Sequence, residues 1–325
     1  MTRSETPDSI RAVATRELTK NYGRSRGISS INLEVRQGEV LGLLGANGAG
    51  KTTLMRTLLD FIRPTAGSLS VLGLDSVKDS VAVRRRCSYL PGELVIPARM
   101  TGHDAIRRFT FARANVGAKR VNELADRLGV DLSRKVGDLS KGNKQKIGLV
   151  LAFAPNADLL VLDEPTSGLD PLLQREFAAL VRDVTGRGGT VLLSSHVMAE
   201  VESVADRVAL LRAGQLVVVD DLKALQARSR RRATLRLVKG DDGPIVARRI
   251  ATLAGVSHIA GTGRAVRFAI VGPMDALIKV IADYSVDSFD VAHEDLEDAF
   301  FEIYDAPGRA VGTASPTAGP DQAGN

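Results

Sequence analysis

The sequence has 325 residues with 44 basic and 38 acidic side chains, so its formal net charge is only +6. So small an excess is typical of a solvated surface and predicts no nucleic-acid site. No stretch approaches the roughly 18 consecutive apolar residues that a membrane helix needs. The single cysteine, Cys87, excludes an internal disulfide framework and fits a reducing compartment. A chain of this length exceeds the usual size of one hydrophobic core, which favours two domains.

The most informative segment joins an apolar run, Val40 to Leu44, to a glycine-rich loop with the pattern G-x-x-x-x-G-K-[ST]. The run predicts a buried strand, and Thr53 to Leu59 predict the following helix. Backbone N–H groups in such a loop converge on phosphate oxygens, while Lys51 brings a positive charge and Thr52 a hydroxyl for Mg²⁺. The predicted phosphate-binding residues are Gly45, Asn47, Gly48, Ala49, Gly50, Lys51, Thr52 and Thr53.

The interval from Gly92 to Lys135 changes from strand-like to helical composition, which predicts an inserted helical lobe. Thr101 and Asp104 have the spacing of a capping box at the start of a helix. Apolar residues then recur at helical spacing, which predicts that they belong to the core. These residues are Ala105, Ile106 and Phe109 in the first helix, and Val121, Leu124, Ala125 and Leu128 in the second.

Two later predicted strands lead into ionisable residues. Asp158 to Asp163 reads as a short buried strand that ends in two carboxylates, Asp163 and Glu164. Because neighbouring strand residues point to opposite sides, we expect Asp163 to position the Mg²⁺ shell and Glu164 to orient and deprotonate a water. Thr190 to Ser195 predicts another strand, which is followed by His196.

In this order, the segments resemble those of the ATP-binding cassette (ABC) ATPases over roughly residues 11 to 220. Leu139 to Gln145, with Ser140 as the N-cap of a helix to Phe153, resembles the family's signature segment, and Ser167 to Asp170 resembles its D-loop. The strand ending in His196 resembles the one that carries the family's switch histidine. The resemblance implies an α/β fold, a P-loop NTPase cassette with a helical lobe, and hydrolysis of ATP with Mg²⁺.

The resemblance also implies roles for single residues. His196 would contact the γ-phosphate, Tyr22 would stack on the adenine, and Ser140, Gly142 and Asp170 would complete a nucleotide site. The family's glutamine loop should follow Cys87 to Pro91, but here Gly92 and Glu93 occupy that place. Glu93 is therefore a candidate metal contact, and the alternative is a solvated loop residue.

The resemblance further implies a head-to-tail homodimer beneath separately encoded membrane permease subunits, with residues 92 to 115 as the coupling surface. The chain would then lie on the cytoplasmic face of the membrane as a peripheral subunit. The alternative is a soluble ABC ATPase that acts on ribosomes or DNA, although the paired cassettes or long coiled coils of those groups are absent. A catalytically inactive regulator is a third possibility, which the intact Lys51, Asp163, Glu164 and His196 disfavour.

The rest of the chain predicts a second domain. Arg207 to Leu211 and Gln215 to Val219 predict a hairpin, and a linker at 221 to 232 contains a helix from Leu222 and a basic run to Arg232. Residues 233 to 305 have the βαββαβ order of a small α+β, ferredoxin-like domain. Its helix at 295 to 304 resembles the closing segment of ATPase subunits from daunorubicin-resistance-type exporters. Residues 1 to 10 and 306 to 325 are predicted to be disordered.

Overall fold

The computed structural model describes residues 11–23, 25–111, 116–228, 231–239 and 242–293. The chain divides into two compact units, Met1–Gln226 and Ala227–Asn325. The predictions for residues 1–10, for the helix at 295–304 and for residues 306–325 lie outside the described residues.

The first unit contains two sheets and the helices packed against them. In chain order its strands are β1 (Arg11–Tyr22), β2 (Ser25–Ile31), β3 (Glu34–Arg36), β4 (Val40–Leu44), β5 (Ala66–Val71), β6 (Leu74–Asp75), β7 (Cys87–Leu90), β8 (Leu159–Asp163), β9 (Thr190–Ser195), β10 (Arg207–Arg212) and β11 (Gln215–Asp221). Its helices are α1 (Lys51–Leu58), α2 (Ser80–Arg86), α3 (Gly102–Thr110), α4 (Ala118–Leu128), α5 (Lys141–Phe153), α6 (Pro171–Thr185), α7 (Met198–Glu202) and α8 (Leu222–Arg228), the last running across the boundary between the units.

A six-stranded sheet in the order β11-β10-β4-β9-β8-β7 carries the candidate site. All neighbours are parallel except the β10–β11 hairpin. Every residue of β4, β8 and β9 is buried, because parallel strands covered on both faces have no solvent side. The carboxyl ends of parallel strands meet at one edge of the sheet, so the loops after β4, β8 and β9 are brought together there.

The second sheet of this unit is antiparallel, with the order β2-β1-β5-β6 and β3 also paired to β1. The main hydrophobic cluster joins the two sheets through α1. It contains Leu18 of β1, Leu43 of β4, Leu54 of α1 and Val161 of β8, which are all fully buried. Because this packing fixes β4 and β8 against α1, it also fixes the loops that leave their ends.

The helical segment contains α3 and α4, and the capping box predicted at Thr101 and Asp104 is present. The predicted apolar positions of α4 are all buried, as are Ala105 and Ile106. The prediction that Phe109 belongs to the core is wrong, because its side chain is 50% exposed. Helical spacing placed Phe109 near the buried face of α3, but the part of this unit that is described leaves half of the ring without cover.

The second unit is built around a sheet in the order β13-β14-β12-β15, in which all neighbours are antiparallel. In chain order its elements are β12 (Arg231–Leu237), α9 (Gly243–Ile250), β13 (Val256–Thr262), β14 (Ala265–Ile270), α10 (Asp275–Ile281) and β15 (Val286–His293). Both helices contribute to its core, with Val246 of α9 and Leu277 of α10 packed in the same cluster as Leu235 and Phe268.

The segment predicted as a linker is more structured than expected. The predicted helix is present as α8, where Leu222 and Leu225 are buried. The end of the predicted basic run is not a boundary, because Arg231 and Arg232 lie in β12 and pair with β14 and β15. The sheet of the second unit therefore begins two residues before the predicted domain start at 233.

Candidate functional site

The glycine loop between β4 and α1 passes through places that exclude side chains. A Cβ atom on Gly45 would lie 2.3 Å from the carbonyl oxygen of Leu211, and one on Gly50 would lie 2.9 Å from Cγ2 of Ile28. Gly50 also has a φ of +106°, in the region that favours glycine, and it is the N-cap of α1. Since α1 begins directly after it, the unpaired N–H groups and the positive dipole end of this helix lie at the loop.

Lys51, the first residue of α1, is buried inside this loop with 6% of its side chain exposed. Its Nζ donates to the carbonyl oxygen of Gly45 at 2.5 Å and lies 3.4 Å from that of Ala46. Nζ also forms an ion pair with Oε1 of Glu164 at 3.1 Å. A buried ammonium requires a compensating charge, and Glu164 supplies it.

The other predicted loop residues differ in their exposure. Asn47 and Gly48 are exposed, Ala49 is buried, and Thr53 is half-buried in the first turn of α1. The carbonyl oxygen of Ala49 accepts a hydrogen bond from the Gly214 N–H at 2.9 Å, which attaches the loop to the β10–β11 turn.

Asp163, at the end of β8, is joined to two hydroxyl groups. Thr52 Oγ1 donates to its Oδ2 at 2.7 Å, and Ser194 Oγ donates to its Oδ1 at 2.6 Å. The register of the sheet explains the second contact, because Asp163 and Ser194 are paired neighbours on β8 and β9. The carboxylate is therefore held on both sides, next to the threonine of the glycine loop.

Glu164 connects Lys51 and His196. One carboxylate oxygen pairs with Lys51, and the other lies 2.7 Å from Nδ1 of His196. Because an ionised carboxylate only accepts hydrogen bonds, Nδ1 carries the proton and Nε2 is the ring nitrogen left for other partners. The backbone of Glu164 has a φ of +49°, and Ser194 Oγ accepts its N–H at 3.0 Å. Gln145 of α5 donates to the carbonyl oxygen of Pro165 at 2.8 Å and so secures the same turn.

The segment at the start of α5 is placed against the loop after β8. Ser140 is the N-cap of α5, and its hydroxyl accepts the Asn143 N–H at 3.3 Å. A Cβ atom on Gly142 would lie 3.1 Å from the carbonyl oxygen of Gly168. Asp170 is the N-cap of α6, and its carboxylate accepts the N–H groups of Leu172 and Leu173, both at 3.0 Å. The Asp170 carboxylate is thus engaged in capping.

The last two predicted contacts lie at the margins of this arrangement. Tyr22 ends β1 with its ring partly exposed, and Lys20 Nζ lies 5.3 Å from the ring centre. Glu93 is exposed, and within the described ranges its carboxylate is joined to no side chain of the site. Gly92 is the nearer of the two, because a Cβ atom there would lie 3.5 Å from Cγ of Asp163.

A cavity of about 340 Å³ opens beside β7, between the chain after Leu90 and helix α3. Its lining includes Tyr89, Leu94, Val95 and Phe109, of which Val95 and Phe109 are exposed apolar residues. Burial raises the pKa of Tyr89. The Asp163 carboxylate also raises this pKa, whereas the hydrogen bond with Arg56 lowers it. The tyrosine is therefore neutral at physiological pH, and it lines the cavity.

Two residues that position the site were not predicted. Ser194 is fully buried, and Gln145 is also buried, so each is a polar group that requires partners. The signal for Ser194 was a serine pair at the end of an otherwise apolar strand. The signal for Gln145 was a polar residue at the beginning of an apolar helix.

Two features are absent from the described ranges. None of the helices there combines the length and the apolar character needed to cross a membrane. In the same part of the chain, no cluster of three or more histidine, cysteine, aspartate or glutamate residues could hold a metal ion.

Comparison with known proteins places the site in a family. The model of the ABC transporter family matches residues 28–167. The bacitracin transport ATP-binding protein BcrA of Bacillus licheniformis is 32% identical over 226 residues, which is 67% of this chain and 72% of that protein. The daunorubicin resistance ATP-binding protein DrrA3 of Streptomyces coeruleorubidus is 33% identical over 285 residues, 84% of this chain and 89% of that protein.

The fold is also similar to that of a solved ATP-binding cassette, a dimer in a post-hydrolysis state bound to ADP and Pi. That similarity has a TM-score of 0.59 at 20% identity, and it covers 65% of this chain and 98% of the other. The glycine loop, Asp163 and Glu164 thus lie in a cassette fold whose relatives are named as ATP-binding proteins. The chain belongs to the ABC transporter family of ATP-binding proteins and is an ATPase.

Proposed function

We propose that this chain energises an exporter of drugs, antibiotics or lipid-like compounds. It would work as a pair of identical subunits, on the cytoplasmic face of the membrane, beneath separately encoded permease subunits. The observation that carries the catalytic part is the Lys51–Glu164–His196 chain of contacts beside the Thr52–Asp163 hydrogen bond. The exporter part is supported by DrrA3, because an alignment over 84% of this chain extends beyond the first unit.

Nucleotide binding follows from the loop. Its backbone N–H groups and Lys51 bind the outer phosphates, and the exposed ring of Tyr22 stacks on the adenine. The residues present fit Mg²⁺, because Thr52 and Asp163 offer hard oxygen atoms and this ion is commonly held by one or two carboxylates, waters and phosphates. When bound, it neutralises charge on the phosphoryl oxygens. Glu93 remains a predicted metal contact for which the described residues offer no support.

Hydrolysis is assigned to Glu164. Its carboxylate accepts a proton from a water while the water oxygen attacks the γ-phosphorus, and the bond to the bridging oxygen breaks to leave ADP and phosphate. The His196 N–H fixes the direction of the carboxylate, and its Nε2 side faces the γ-phosphate. Lys51 supplies the positive charge that stabilises the phosphoryl oxygens.

The paired arrangement rests on the signature segment. Ser140 lies at the start of α5 and Gly142 next to the Gly168 turn. Each subunit would lend both residues to its neighbour's nucleotide, as the family resemblance implies. A two-fold axis gives two equivalent composite sites from one repeated surface. The solved dimeric cassette supports this arrangement by its fold. Asp170, which also caps α6, would complete that nucleotide site beside Ser140 and Gly142.

The second unit is assigned as a ferredoxin-like accessory domain, since its βαββαβ order and its β13-β14-β12-β15 sheet match that arrangement. Residues 92 to 115 are assigned as the contact with the permease. The cavity beside β7 and the exposed side chains of Val95 and Phe109 support this assignment. Residues 112–115 of this surface lie outside the described ranges.

Two measurements test the proposal. The purified chain should hydrolyse ATP, and Glu164→Gln should bind Mg-ATP while its turnover falls by at least about 100-fold. In the cells that make the protein, Phe109→Asp should release the chain from the membrane fraction. Val81→Asp, at an exposed apolar position outside the cavity lining, should not. Undiminished turnover in Glu164→Gln would refute the catalytic assignment, and undiminished membrane association of Phe109→Asp would refute the coupling surface.

A further inference from the structure

Among the described residues, the hydrogen bond that the ring of His196 forms is the one with Glu164. The His196 side chain is 48% exposed, and it lies in the connection between β9 and α7 rather than in either element. The 2.7 Å contact between Nδ1 and Glu164 nevertheless requires a defined backbone and a defined rotamer. Something outside the ring must therefore hold this connection.

The residue before His196 makes the required contacts. Ser195 is 1% exposed, and its hydroxyl takes part in two hydrogen bonds at once. It accepts the N–H of Val197 at 3.0 Å, and it donates to the carboxylate of Glu200. The first bond closes the backbone around His196, and the second ties that turn to α7. A buried hydroxyl with both a donor and an acceptor partner has only one orientation.

Glu200 lies on α7, a helix that is packed into the core. Its neighbours on α7, Met198 and Val201, are buried, with exposures of 1% and 0%. Cγ1 of Val201 lies so close to β4 that a Cβ atom on Gly42 would be 2.2 Å from it. Strand β4 leads directly into the glycine loop. The Ser195–Glu200 hydrogen bond thus connects the His196 turn, through α7, to β4. The same strand positions Lys51.

We propose that Ser195 and Glu200 form a positioning pair for the hydrolysis step. The pair holds His196 so that its Nδ1–H meets Glu164, and neither residue contacts the nucleotide. This inference rests on the proposed role of His196. Without the pair, the His196 turn loses its tie to α7, and the Glu164 carboxylate loses the donor that fixes its direction.

The test compares variants that remove the bond with variants that keep it. Ser195→Ala and Glu200→Ala should each lower kcat about tenfold and leave the KM for ATP within about twofold, because they disturb geometry and not binding. Ser195→Thr keeps the hydroxyl, and Glu200→Gln keeps an acceptor oxygen, so both should retain kcat within about threefold. The matched control is Ser203→Ala at the C-cap of the same helix, since Ser203 donates to the carbonyl oxygen of Glu200 at 2.7 Å and does not contact its carboxylate. It should not change kcat.

A spectroscopic measurement separates positioning from general loss of structure. The chain has only 4 histidines, so the His196 imidazole resonance can be assigned by comparison with His196→Ala. Its Nδ1 shift should move in Glu200→Ala and stay in place in Glu200→Gln. Equal losses of kcat in these two variants, or an unmoved resonance in Glu200→Ala, would overturn the pair.

These variants also distinguish a failure of the positioning pair from a failure of the proposed role of His196. If His196→Ala hydrolyses ATP at the normal rate, the proposed role of His196 fails and the pair fails with it. If His196→Ala is impaired while Ser195→Ala and Glu200→Ala are not, only the positioning pair is refuted.

Discussion

Ser194→Ala is expected to damage both stability and function, because it removes the residue that links Asp163 to Glu164. The Ser194 hydroxyl donates to Asp163 Oδ1 at 2.6 Å and accepts the N–H of Glu164 at 3.0 Å, in a fully buried position. A hydrogen bond to a charged group contributes about 1.5–3 kcal/mol, and a buried N–H left without a partner costs about 1–3 kcal/mol. Since the two effects share one site, a total loss of about 3 kcal/mol is expected.

Urea unfolding measures this loss as a fall in the midpoint at an unchanged slope. A double-mutant cycle with Asp163→Asn isolates the charge. In that background the Ser194→Ala change should cost about 1 kcal/mol less, because the lost bond then goes to a neutral amide. The affinity for Mg-ATP should fall about 10- to 100-fold, as is typical when a partner of a metal ligand is removed. A Ser194→Ala protein within about 0.5 kcal/mol of the parent, or an equal cost in both backgrounds, would refute the reasoning.

Two further predictions concern packing and capping. Gly42→Ala should destabilise the fold by about 1–3 kcal/mol, because its Cβ would lie 2.2 Å from Cγ1 of Val201, and Val201→Ala should relieve part of that cost. Equilibrium unfolding of both single variants and the double variant checks this, and strictly additive costs would contradict it. Asp170→Ala should cost about 1 kcal/mol of stability while Asp170→Asn costs little, because asparagine caps a helix equally well. Thermal unfolding in the absence of nucleotide separates this capping role from a nucleotide contact, and equal losses in the two variants would argue against it.

The strands of the core sheet could be predicted because their physical requirements are local. β4, β8 and β9 are covered on both faces, so each reads as an unbroken apolar run with chemistry at its end. The capping box at Thr101 and Asp104 is equally local. Asp163 and Glu164 were likewise predicted at the end of a buried strand, and the structure has them at and directly after the end of β8.

The wrong or missing predictions concern residues whose surroundings depend on the tertiary fold. The helical spacing that marked Phe109 as core defines a face of α3, but it does not say whether the same chain covers that face. Ser194 was missed because its partner, Asp163, lies 31 positions away and is reached only through the β8–β9 register. Gln145 likewise bonds to Pro165, which only the tertiary fold brings near α5. No window of sequence contains these pairings.

The sequence around Asp170 indicates a helix start, but the residue was predicted to have another role. An aspartate directly before Pro171 is a standard helix start, and the structure shows this capping interaction. The family resemblance instead pointed to a contact with the nucleotide. That contact stays a prediction.

The composite site is the central claim, and the mass of the particle tests it most directly. Glu164→Gln with saturating Mg-ATP should double in mass by light scattering, because nucleotide held between Lys51 of one subunit and Ser140 of the other joins the two chains. The same variant without nucleotide, and a Glu164→Gln, Lys51→Ala double variant with it, should remain at the mass of one chain, 34.6 kDa. A Glu164→Gln protein that binds Mg-ATP and still scatters as one chain would contradict the account.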